Sequence, residues 1–180
     1  MRASSRIALL VAAACALPPA AGPLSSDEAP RASVAPAFSG RYQFVLTISR
    51  GCPAAMQVGP LTVTMSVAEA AVAQGSEVSG LPASDAQVPD DGRFVLLRQS
   101  DRLHGAFGSG EALGLVTGEG YLLWLRLMTD GTAATATGGR SRASGTAFGE
   151  VDLGLASNPS AESIGNCQDA LDHQWALEPI

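Results

Sequence analysis

The chain has 180 residues, with 17 acidic against 11 basic side chains and 5% aromatics. An acidic balance of this kind disfavours nucleic acid and anionic lipid as partners. Twenty glycines, many Thr and Val residues and no long helical periodicity place the chain among β proteins.

Arg2 and Arg6 precede the apolar run Ile7 to Leu17, which gives way to Pro18-Pro19 and small residues through Gly22. A short positive end, an apolar segment of about 7–15 residues and a small-residue exit make a secretory signal peptide. A membrane-spanning helix would need roughly 20 apolar residues. Residues 1–22 are therefore expected to direct export, to the periplasm or beyond. Arginine is the only basic residue type, which reads as the codon bias of a GC-rich bacterial genome. The run Ala12-Ala13-Ala14-Cys15 resembles a bacterial lipobox, with Ala12 where leucine is usual. Cys15 is read as discarded with the signal, and membrane attachment follows only if it is lipidated instead. Residues 23–37, PLSSDEAPRASVAPA, read as a disordered linker, because they offer too little apolar surface to offset the entropy of ordering.

The folded domain is expected over 38–180. From Gly40 to Ser49, Tyr42, Phe44, Leu46 and Ile48 alternate with mostly polar residues, which predicts a half-buried strand. Leu61, Val63, Met65 and Val67 repeat the pattern. Residues 68–92 leave open a strand, a hairpin at Gln74-Gly75 or a helical turn, followed by a loop rich in Pro, Asp and Gly. Asp90-Asp91-Gly92 in that loop falls short of a calcium-binding ligand series and reads as a solvated turn. Strands follow at 93–100, 102–107 and 112–117. Tyr121 to Thr129 is expected to turn at Asp130-Gly131 into a partner strand over 132–137, since Asp-Gly suits a two-residue hairpin. Gly138-Gly139 precede a strand near 144–153, in which Gly145 and Gly149 mark a bend or a close approach. The last strand is expected at Leu171 to Glu178.

Some eight to ten strands with almost no helix predict one antiparallel β-barrel, with a β-sandwich as the alternative. Cys52 follows the first strand and Cys167 precedes the last. A disulfide between them would tie those strands together, as barrel closure requires. Tyr42, Phe44, Leu46 and Ile48 would then face His173, Trp175 and Leu177.

The opening FSGRYQFVL resembles the Gly-x-Trp start of lipocalin-type and other calycin barrels, with Gly40 and Tyr42 matching and Tyr in place of Trp. The family's arginine on the last strand is absent, and that strand reads DHQWALEP. Cys52-Pro53, Cys167 and Asp172-His173-x-Trp175 together resemble a loose group of uncharacterised exported bacterial proteins. Both resemblances imply a barrel, and neither implies a ligand.

No catalytic motif is present. His104 and His173 lie outside His-Glu-x-x-His, no Gly-x-Ser-x-Gly elbow occurs, and no glycine-rich phosphate loop joins a strand to a helix. No metal site and no cofactor are expected. The best functional hint is the strand from Tyr121 to Thr129, apolar on both faces, whose Leu122, Trp124, Arg126 and Met128 need a cover of their own. The candidate ligand-binding residues are Tyr42, Phe44, Trp124, Arg126 and Trp175. The first reading is an exported, non-catalytic barrel holding a small apolar ligand. The second is a cell-envelope structural or protein-interaction domain with an envelope protein as partner. An outer-membrane barrel is less well supported, because the aromatics are too few for two girdles. A hollow interior would favour the ligand, and a filled interior with an exposed apolar patch the protein partner.

Overall fold

The structure, a computed structural model, describes residues 37–83, 93–108, 112–158 and 163–180. The expected signal peptide, all but the last residue of the linker, and Asp90-Asp91-Gly92 lie outside these residues. Among the described residues nine strands form: β1 (Ser39–Thr47), β2 (Leu61–Val72), β3 (Gly75–Pro82), β4 (Phe94–Gln99), β5 (Arg102–Phe107), β6 (Leu113–Val116), β7 (Tyr121–Thr135), β8 (Ser141–Leu155) and β9 (Gly165–Pro179). All pairings are antiparallel. The order runs β1-β2-β3-β4-β5-β7-β8-β9 and returns to β1, so the sheet closes into an eight-stranded barrel. The ninth strand, β6, continues the line of β5. Along β7, β5 lies against Leu127–Thr132 and β6 against Leu122–Leu125.

Closure follows from matched apolar faces. Phe44 stands opposite Leu177 and Leu46 opposite Trp175, and all four are buried. Beyond the end of that ladder, His173 meets Ser49, whose backbone N–H donates to Nδ1 at 3.1 Å. Cys52 and Cys167 are disulfide-bonded with Cα atoms 5.3 Å apart, tying the chain after β1 to the start of β9. The bond spans 115 residues of sequence. Closing a loop of that length is worth roughly 4–5 kcal/mol in the chain-entropy account.

The hairpin left open at Gln74-Gly75 is present, with β2 reaching Val72 and β3 starting at Gly75. The turn expected at Asp130-Gly131 is not. β7 runs through both residues to Thr135, and the chain reverses over Thr137–Gly139, where Gly138 and Gly139 take φ of +83° and +78°. The reason lies in the interior. Gly131 faces inward, and a Cβ there would sit 2.6 Å from Cζ2 of Trp175. Gly145 pairs with both Gly131 and Trp175, and its own Cβ would sit 2.0 Å from the Asp130 carbonyl oxygen. Gly131 is the floor on which the indole lies, and Gly145 lets the backbones of β7 and β8 approach closely beside it. Trp175 Nε1 then donates to the Thr146 carbonyl at 3.1 Å, so its burial leaves no polar group unpaired.

Aromatic rings run through the core. Phe44 and Phe94 flank Phe107, with ring centroids 4.7 and 5.2 Å from it, and Trp175 meets Phe107 edge-on at 6.3 Å. Tyr42, Phe44, Leu46, Met65, Leu103 and Leu125 are fully buried. These side chains line no internal space. The barrel is packed where they stand.

At the end of the barrel where β1 begins, inward positions turn polar. Arg98 pairs with Glu69 at 2.5 Å, their side chains 11% and 5% exposed. Glu69 also accepts from the Phe38 N–H at 2.7 Å, and the Arg98 guanidinium sits 5.9 Å from the Phe38 ring centroid. Removing one partner of so buried a pair would strand the other charge, at a cost of about 3–5 kcal/mol. Arg140 lies 4.9 Å from the Tyr42 ring centroid and donates to the carbonyls of Ser39, Arg41 and Ile180. Burial pushes the Tyr42 hydroxyl pKa up, with the Arg140 charge acting against it.

Candidate functional site

The five residues singled out from sequence fall in two places. Tyr42, Phe44 and Trp175 are core side chains of the barrel, at 0%, 0% and 2% exposure. Trp124 and Arg126 are on the outer wall, separated from them by the backbone of β7. No single site gathers all five.

At the end of the barrel closed by the disulfide, Ser49, Asp172 and His173 come together. These are the residue types of a hydrolase triad, but the wiring differs. A nucleophilic serine gives its Oγ–H to the histidine. Here Ser49 Oγ donates to the Asp172 carboxylate, and Nδ1 of His173 is filled by the Ser49 backbone N–H. Ser49 is itself 4% exposed. The cluster fastens β9 to the chain leaving β1. Burial holds the His173 pKa below the ordinary histidine value, with the Gly149 backbone and the Asp172 charge pulling the other way. Its Nε2 is buried without a hydrogen bond.

Among the described residues, the one gathering of metal-ligating side chains is Cys52, Cys167 and His173, with ligand atoms within 4.8 Å of one another. Both sulfurs are bonded to each other, so neither is a thiolate, and the thiolate is the form that ligates.

The outer wall carries what the core does not explain. Along one level of the barrel, Val95 of β4 pairs with Ala106 of β5, Ala106 with Met128 of β7, and Met128 with Phe148 of β8. Four adjacent strands thus present an apolar row to solvent. Val95, Met128 and Phe148 are 36%, 57% and 43% exposed. With Leu97 and the level of His104 and Asp130, the row lines a shallow depression of about 710 Å³. Next to it, β8 and β9 lose register between Ala147 and Gly149, and Leu171 stands in this bulge, almost bare to solvent.

Charged residues border the row on both sides. Asp130 accepts from Arg102 at 2.5 Å and lies 3.5 Å from His104 Nδ1. On the other side Arg126 stands 3.6 Å from Glu150. Beyond that pair, Ala112, Trp124, Arg126, Glu150 and Asp152 line a second groove of about 390 Å³.

Val95, Ala106 and Phe148 were not singled out from sequence, and Met128 was noted only as a neighbour of Trp124. Ala106 and Phe148 are each the one apolar residue on an otherwise polar outer face, while Val95 shares its face with Leu97 and Met128 with Leu122 and Trp124. Only the inter-strand register aligns them. The chain matches no family model, no curated protein and no solved structure among those compared.

Proposed function

We propose that this protein is an exported, non-catalytic barrel that binds another protein of the cell envelope through the apolar row on its outer wall. The observation that carries this reading is the alignment of Val95, Ala106, Met128 and Phe148 across four strands in water. A contiguous exposed apolar patch rimmed by polar groups is characteristic of a surface that becomes covered. The rim holds Arg102, His104 and Asp130 on one side and Arg126 and Glu150 on the other. Such mixed charges suit a protein partner, where they set orientation and exclude wrong surfaces. Each strand carrying the row is hydrogen-bonded to neighbours on both sides, so a partner cannot add a strand there and contact is made through side chains. The disulfide supports the exported compartment, since such bonds persist under oxidising conditions.

An apolar ligand carried inside is the weaker reading, because Tyr42 and Phe44 have no free surface and a guest would have to displace them. The test is photocrosslinking in the native envelope, with a photoreactive residue at position Met128 or, as a control, at Gln43 on β1. A discrete adduct from position 128, lost when Phe148→Asp is added and not formed from position 43, is the expected result. The same pattern from both positions, or no adduct at all, would defeat the reading.

A further inference from the structure

We infer that the groove beside Trp124 is a saccharide-binding site, bordering the apolar row and sharing Arg126 and Glu150 with its rim. The indole packs flat on β6. Gly114 is its cross-strand partner, and a Cβ at that position would lie 2.8 Å from Cζ3 and 3.1 Å from Cε3 and Cη2. Only a glycine lets the ring lie down there, and lying down fixes its plane. Trp124 is half-buried, at the wall of a groove large enough for one or two sugar rings.

The polar groups around it are planar and already held. Asp152 pairs across from Trp124 and accepts from the Ser163 hydroxyl. Glu150 pairs across from Arg126 and accepts from Asn166 Nδ2 at 3.1 Å. An ionised carboxylate has about four acceptor positions, so each keeps places free after these contacts. Arg126 adds donors from the far side.

A pyranose presents a face of C–H groups and a rim of hydroxyls, each both donor and acceptor. The C–H face suits the negative face of an indole, and the hydroxyl rim suits carboxylates interleaved with a guanidinium and an amide. An organic cation also favours an aromatic ring beside carboxylates. A site built for a cation would not place Arg126 in its wall, and that decides for the sugar.

The test is saturation-transfer NMR with the full exported protein and four probes: cellotetraose, chitotetraose, maltotetraose and tetramethylammonium. At least one tetrasaccharide should bind saturably, weakened about tenfold or more by Trp124→Ala and by Asp152→Asn. Trp124→Phe, which keeps a flat ring, should bind better than Trp124→Ala, and Gln43→Ala on the outer face of β1 should bind as wild type. An intact Cys52–Cys167 bond and unchanged circular dichroism would show that the variants fold. Absence of saturable binding, binding insensitive to Trp124→Ala, or binding by tetramethylammonium in place of the sugars would overturn the assignment.

Discussion

The two faces of β7 are almost equally apolar in sequence but have opposite surroundings. Leu123, Leu125 and Leu127 point inward and are at most 1% exposed, whereas Leu122 and Trp124 are half-covered on the outside and Met128 is 57% exposed. The inner residues need no function to account for them, because filling the barrel is reason enough. Of the outer ones, Trp124 is covered in part by Gly114 of β6, and Met128 is left largely bare. Apolar character inside a barrel is thus uninformative about binding, while the same character outside is the part of the surface that calls for a partner.

The comparison breaks first at Trp175. If the inner wall is packing alone, Trp175→Ala should cost about 3–5 kcal/mol in urea unfolding, because nothing refills the space over Gly131 and Gly145. A loss under about 1 kcal/mol would mean that the interior tolerates a void and could accept a guest.

His173 probes the same wall by pH. Its folded-state pKa lies below the unfolded value of about 6.5 because burial disfavours the imidazolium. The unfolded chain therefore takes up the proton more readily. His173's contribution to stability should be complete above about pH 6.5 and should fall as the pH drops below it. Thermal unfolding midpoints measured down the acid side, with His173→Gln as the control, should show a smaller decline for the variant. Parallel curves would mean that the imidazole does not titrate between the folded and unfolded states.

The smallest effect belongs to the outer row. Met128→Gln should shift stability by no more than about 0.5 kcal/mol, as surface changes usually do. A clear destabilisation would show that Met128 supports the fold, and the argument for a partner there would lose its footing.

Much of this architecture was legible from residues. Tyr42, Phe44, Leu46 and Ile48 declared an inward face by their period of two, and the matching period of His173, Trp175 and Leu177 together with the two cysteines implied which strand lay beside them. Asp130-Gly131 misled because a local turn preference competes with tertiary packing, and the ring of Trp175 could not be seen from that dipeptide. The length of β9 was underestimated for a related reason. Its first half, Gly165 to Ala170, has no alternation and is held by pairing with β8 through a bulge. The outer row was illegible in principle, since register between strands is not written in any one of them.

The pairing of β1 with β9 also has a consequence in time. The first strand of the domain finds its second neighbour only when the last has been made, some 130 positions later in the register of Leu46 with Trp175. Contacts of such long sequence separation form slowly, because the chain between them must be ordered before they repay its entropy. Until then the apolar face of β1 stays half covered, and no strand pairing holds Cys52 beside Cys167. Once oxidised, the pair keeps the chain after β1 and the start of β9 together even when the pairing between those strands opens. Under oxidising conditions the bond is a seal across the seam whose two strands lie farthest apart in the chain.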